Sequence, residues 1–242
     1  GSTANIAGRI AAKNMIGNKI PYQGVLGTAV IKLPGFNAGR TGLTEEQAKK
    51  AGFDAVSVVA VTDDKAHYYP DSSVFIVKMT ADRSTKRLLG LQVLGKGAID
   101  KMTDIAATAI TLGATPEDIE NMDLAYAPPF STAIHPFSHT VNILLNKING
   151  ALETVTPTEF ALGKAQGYKI IDASRKPSID GAIYVDLGTV NGEIPGLSKD
   201  ERLLLVCTKG KRAYMLQRRL KNFGYKHTLV LEGGTTFNEV IV

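Results

Sequence analysis

Cys207 is the only cysteine among 242 residues, and it opens the run Cys207-Thr208-Lys209-Gly210-Lys211-Arg212. The four residues before it, Leu203 to Val206, are apolar. Ala213 to Leu220 after it follow a helical period that points Met215, Leu216, Leu220 and Phe223 toward a core. The cysteine is thus expected at the carboxyl end of a buried strand, on a short loop entering a helix. Backbone N–H groups and the positive end of the helix dipole converge there, which favours a thiolate. Lys209, Lys211 and Arg212 add positive charge, and Thr208 and Gly210 complete the loop. This is where a sulfur nucleophile would be placed. A lone cysteine behind an apolar run is also what an inert packing thiol looks like. It is the spacing to Gly210 and Arg212 that favours chemistry.

The elements around this loop follow from pattern. Strands are predicted at 28–33, 54–62, 73–80 and 87–94, the last two forming a hairpin through Ala81 to Thr85. Helices are predicted from Gly1 to Ile16, from Thr44 to Ala51 behind Thr44-Glu45-Glu46, from Ala98 to Leu112, after Thr115-Pro116, and from Pro136 to Asn149. His135-Pro136 reads as a polar residue before a proline at the first helical position, with no carboxylate following to orient the ring. His139 has no ligand partner at useful spacing, so no metal site is expected.

Composition narrows the class. A chain that is 44% hydrophobic can build one large or two modest cores. No apolar run is long enough to cross a bilayer, no leader pattern opens the chain, and one cysteine suits a reducing compartment, so a cytoplasmic protein is expected. The formal charge of +5 is uneven: residues 160–242 carry 13 Lys and Arg against 8 Asp and Glu, and residues 1–159 carry 15 against 15. Lys209, Lys211, Arg212, Arg218, Arg219, Lys221 and Lys226 gather near Cys207. Without interleaved aromatics this is not a nucleic-acid motif; it suits an anionic small molecule or a solvated helix face.

Cys-x-x-Gly-x-Arg resembles the active-site loop of the rhodanese (sulfurtransferase) family. Asp172-Ala173-Ser174-Arg175, Gly181-Ala182-Ile183 and Glu232-Gly233-Gly234 resemble other segments of that family, covering the last third of the chain. The resemblance implies a persulfide sulfur on Cys207, cradled by loop amides. Only Lys176 to Asp180 separates the first two motifs, where such domains carry a longer helix-bearing segment, so a shortened domain is expected. The related cysteine phosphatases use a Cys-x5-Arg loop; the four residues between Cys207 and Arg212 suit a single sulfur better.

A second resemblance covers the first 150 residues. Gly1-Ser2-Thr3-Ala4-Asn5 with Gly8-Arg9, Gly27-Thr28-Ala29, Thr41-Gly42-Leu43, Tyr68-Tyr69-Pro70 and Leu124-Ala125-Tyr126-Ala127-Pro128-Pro129-Phe130-Ser131 occur in order. They resemble the dimerisation domain of FAD-dependent pyridine nucleotide–disulfide oxidoreductases, of the coenzyme A-disulfide reductase and NADH-dependent persulfide reductase type. The resemblance implies an α+β domain with an antiparallel sheet and flanking helices, followed by a small α/β rhodanese-like domain with a parallel sheet. It implies a helix of an FAD domain at 1–20, the dimerisation domain at 21–153, a linker at 154–167 and the rhodanese-like domain at 168–242. It also implies a homodimer acting on a small thiol, disulfide or persulfide, with FAD and NAD(P)H as cofactors of the parent enzyme. Ser2, Thr3, Ala4 and Asn5 would touch the flavin edge, and Tyr126 with Tyr68 or Tyr69 would reach the partner's active site. No Gly-x-Gly-x-x-Gly fingerprint is present. The chain is therefore expected to be a C-terminal piece that does not hold FAD tightly alone. The alternative is a dimerisation scaffold with a vestigial sulfur loop.

Overall fold

The computed structural model describes residues 1–242 as two sheet-based units. An exposed helix, α1 (Ser2–Met15), comes first and buries none of its residues. The first sheet is built from β1 (Ala29–Leu33), β2 (Phe36–Gly42), β3 (Ala55–Asp63), β4 (Val74–Asp82) and β5 (Leu88–Gly95), in the order β1-β2-β5-β4-β3 and antiparallel throughout. The short helix α2 (Glu45–Lys50) sits between β2 and β3, and its N-terminus is closed by a reciprocal Thr44–Gln47 capping box. Helices α3 (Ile99–Thr111), α4 (Pro116–Glu120) and α5 (Pro136–Ile148) complete the unit. Alternate residues of the three long strands (Val56 and Val58, Val77 and Met79, Leu91 and Val93) pack with Met102, Ala106, Phe137, Val141 and Leu144 in one core.

Strand β2 escaped the sequence pattern because Phe36–Gly42 is rich in residues that disfavour strands. The fold explains its glycine. A Cβ on Gly39 would lie 2.3 Å from Thr103 Oγ1, so α3 packs directly on bare backbone.

The second unit is a parallel sheet in the order β6-β10-β9-β7-β8, formed by β6 (Thr154–Val155), β7 (Lys169–Asp172), β8 (Ile183–Tyr184), β9 (Arg202–Val206) and β10 (His227–Leu231). Helices α6 (Pro157–Ala161), α7 (Lys211–Asn222) and α8 (Gly234–Phe237) accompany it. Leu203 and Leu205 enter the core under α7, while Leu204 and Val206 pack with Val155, Ala165 and Ile179 on the other face. A strand covered on both faces has no polar side, hence the unbroken apolar run before Cys207.

Two expectations differ here. Thr154–Val155, within the stretch assigned to a linker, is the edge strand of the second sheet, paired with Val230 and Leu231. Two residues are too few to show a period. Met215 is 43% exposed, and the buried face of α7 is instead Ala213, Leu216, Gln217 and Leu220. That set follows the i, i+3, i+4, i+7 spacing, and Gln217 belongs to it because its amide donates to Glu153 O and Thr228 O.

The two units touch. Ile143 on α5 packs against both main cores, and α8 lies beside β3.

Candidate functional site

Cys207 follows β9 directly and is 3% exposed. Its carbonyl accepts from Thr235 N at 3.1 Å, and that of Thr208 accepts from Thr236 N at 3.0 Å and Thr236 Oγ1 at 2.8 Å. The loop is thereby pinned to the first turn of α8. Gly234 makes this approach possible: its φ is +53°, and an added Cβ would stand 2.0 Å from the Cys207 carbonyl oxygen. Gly210, at φ +89°, turns the chain into α7 with no side chain capping the helix. The first-turn amides of a twelve-residue helix therefore stay available at the loop.

The basic residues are arranged differently from the expectation of a positive cluster. Arg212 donates through Nε to Ala173 O at 2.7 Å and through Nη2 to Asp186 at 3.1 Å, tying the loop to the end of β7. Lys209 pairs with Asp63, Lys221 with Glu153 and Lys226 with Asp200, while Arg218 and Arg219 donate to backbone carbonyls. Of the seven, Lys211 alone has no such partner. Six of the seven are thus partnered within the chain.

Asp172 closes the turn that follows β7. It is buried, and its carboxylate accepts from Ser174 N, Ser178 N, Ser178 Oγ and Ile179 N at 2.6–3.2 Å. Burial alone would raise its pKa; the hydrogen bonds from Ser174 and Ser178 outweigh it and hold the carboxyl below its ordinary value.

The other candidate residues lie in the first unit, apart from the cysteine loop. Tyr68 is 74% and Tyr126 52% exposed, and Tyr69 is half-buried with Lys65 Nζ 5.8 Å above its ring. Their loops flank a cavity of about 190 Å³ lined by Asp64, Lys65, Lys101, Phe130, Ser131 and His135. Sequence reasoning missed Ser131, whose fully buried hydroxyl has no hydrogen-bond partner. His135 is the N-cap of α5, its Nδ1 accepting from Phe137 N at 3.2 Å; burial, then Lys101, lowers its pKa to about 4, so the ring is neutral. Ser2, Thr3, Ala4 and Asn5 form an exposed helical turn. No group of three or more His, Cys, Asp or Glu side chains is placed to hold a metal ion.

The seam between the units carries a cavity of about 210 Å³ lined in part by His139, Asn142, Lys209, Lys211, Tyr214 and Glu232. Burial, then Lys211, lowers the pKa of His139, against Asp63.

An antiparallel α+β unit joined to a parallel sheet with a cysteine loop between strand and helix defines a two-domain class. Residues 29–136 match the pyridine nucleotide-disulphide oxidoreductase dimerisation domain, and residues 156–236 match the rhodanese-like domain. The chain thus pairs a domain of the pyridine nucleotide-disulphide oxidoreductase dimerisation type with a rhodanese-like domain. It is 39% identical over 140 residues to the NAD(P)H sulfur oxidoreductase (CoA-dependent) of Pyrococcus furiosus, covering 58% of this chain and 31% of that protein. A NAD-dependent persulfide reductase from A. fulgidus superposes with a TM-score of 0.87 at 32% identity, over 97% of this chain and 43% of that one. The reduced CoADR-RHD of Bacillus anthracis gives 0.87 at 28% identity, over 96% and 42%. The chain spans about a third of the length of the curated relatives it matches.

Proposed function

We propose that this chain is the dimerisation and sulfur-carrying part of an NAD(P)H-dependent reductase of coenzyme A disulfide, persulfide or polysulfide. The observation that carries the reading is Cys207 itself, held on carbonyl-pinned backbone at the open N-terminus of α7. Relatives named for sulfur, persulfide and coenzyme A chemistry support the substrate class. The Cys207 thiolate attacks the outer sulfur of thiosulfate, forming Cys–S–S⁻ and releasing sulfite with the electron pair of the broken S–S bond. First-turn amides of α7 then hold the terminal sulfur anion. Arg212 acts on this step by fixing the loop against Ala173 and Asp186.

FAD, when bound to the whole protein, would supply the electron pair taken from NAD(P)H. Ser2 to Asn5 suit only its edge, because α1 buries nothing and offers one exposed turn, so this chain should not retain the flavin alone. Tyr126, with Tyr68 or Tyr69, would hydrogen-bond the substrate-side thiolate of a partner protomer, and the exposure of Tyr126 and Tyr68 leaves those two free for it. The protein would be a cytoplasmic homodimer with no nucleic-acid or membrane partner; no helix is long and apolar enough to cross a membrane. Incubation with thiosulfate or polysulfide followed by intact mass measurement tests the reading: one added sulfur on the wild type, none on Cys207→Ser.

One observation favours a second reading. Cys207 packs in the core under α7 at 3% exposure, and its basic neighbours Lys209 and Arg212 are paired elsewhere. In that reading the loop is vestigial and the chain is a dimerisation scaffold.

A further inference from the structure

Strand β3 is an edge of the first sheet, so alternate N–H and C=O groups face away from β4. Two of these outward groups are taken by charged side chains. Glu232, the first residue after β10, accepts from Val59 N at 2.8 Å. Lys147 on α5 donates to Ser57 O at 2.8 Å. The two charges meet: Lys147 Nζ stands 2.6 Å from Glu232 Oε1, and Thr154 Oγ1 donates to the same oxygen at 2.6 Å. The Glu232 side chain is 3% exposed and that of Lys147 18%.

A buried ion pair adds little to stability, since desolvation offsets the attraction, but it strongly penalises any arrangement that separates the partners. What this pair specifies is orientation, because its members belong to different units. Glu232 also lies next in the chain to Gly233 and Gly234, and the turn they begin holds the carbonyls of Cys207 and Thr208. The Glu232 carbonyl is itself tied to Asn238 Nδ2 at 2.8 Å. From the edge of β3 to Cys207 the route therefore runs Val59 and Lys147, Glu232, the α8 turn, then the cysteine loop.

We infer that Glu232 is a positioning residue which, paired with Lys147, locks the Cys207 loop to the free edge of β3. The inference rests on the sulfur-carrying reading of Cys207. A sulfur that must pass to a thiol held by the first unit or its partner needs a donor in a fixed pose, since small misplacements cost rate heavily.

The test is amide hydrogen exchange on the full 242-residue chain at 25 °C, with Cys207 alkylation measured in parallel. In Lys147→Met, altered only in the first unit, exchange at Thr235 and Thr236 should rise at least about threefold. Cys207 alkylation should change by a similar factor, while Thr85 N–H in the β4–β5 hairpin stays as in the wild type. Glu232→Ala, which removes both acceptor oxygens, should also release Val59 N–H and reproduce the loop effects. The wild type supplies a measurement that does not depend on a variant folding: in increasing sub-denaturing urea, Val59, Thr235 and Thr236 should open with one shared dependence. Separate dependences, or a folded variant whose loop exchange and alkylation match the wild type, overturn the positioning role. Sulfur loading is read separately, so a chain that loads sulfur with an uncoupled loop loses only this inference, and a coupled loop that takes no sulfur loses only the function.

Discussion

Lys209, two residues past Cys207, is ion-paired with Asp63 at the end of β3, 146 positions earlier in the chain. A residue of the cysteine loop is thus neutralised by the other unit. Both side chains are about one-third exposed, so the pair contributes less than about 1 kcal/mol to stability. Asp63→Asn should therefore leave the thermal midpoint nearly unchanged. It should speed alkylation of Cys207 at neutral pH, because the freed ammonium adds its field to the loop. Unchanged alkylation in the folded variant would show that Lys209 acts only as a tether.

Gly234→Ala places a methyl where the Cys207 carbonyl sits, on a backbone that disfavours side chains. The expected cost is more than about 2 kcal/mol, confined to the rhodanese-like unit. Calorimetry should show that unit unfolding earlier, and sulfur loading should fall with it. Wild-type stability would contradict the tight approach of α8 to the loop.

Glu45 joins α2 to the first sheet through Ser57 Oγ and Lys78, and pairs with Lys49 within its own helix. Partial burial would raise its pKa, but the hydrogen bonds from Lys49, Lys78 and Ser57 prevail and bring it down to about 2. A depressed folded-state pKa gives stability that is fully present above the unfolded value of about 4.3 and lost as pH falls toward 2. Glu45→Gln should cost roughly 1–2 kcal/mol at pH 7 and flatten the acid limb of stability between pH 4.5 and 2. An unchanged acid limb in urea titrations would contradict this assignment.

Strand β1 is the other edge of the first sheet, with Val30 55% and Ile31 56% exposed. Apolar residues on both faces of an edge strand point to a covering partner. Sedimentation should show a dimer at micromolar concentration, and Ile31→Asp should shift it toward monomer without loss of secondary structure. A well-folded wild-type monomer would count against the homodimer.

Much of the architecture was legible because it is local. The hairpin of β4 and β5 alternates, Thr44 and Thr115 cap their helices, and the apolar run of β9 marks a strand covered on both faces. What escaped was set by distant contact. Strand β2 exists because its neighbours supply the ladder and α3 needs bare backbone at Gly39. Strand β6 is defined only by its pairing with β10. In the site, the place of Cys207 between strand and helix could be read from spacing. The partners that take the charge of Lys209 and Arg212, and Glu232 Oε2 on Val59 N from 173 positions away, left no local trace. Ser131, one residue past a Pro-Pro turn and a phenylalanine, likewise gave no signal that its hydroxyl would be buried alone.

Whether Cys207 carries sulfur is decided by intact mass spectrometry after brief exposure to thiosulfate or polysulfide. The wild-type chain should gain the mass of one sulfur atom, removed by dithiothreitol, absent in Cys207→Ser and reduced in Arg212→Ala. No adduct on the folded wild type, or the same adduct on Cys207→Ser, would contradict the sulfur-carrying role and leave Cys207 a packing residue of the rhodanese-like core.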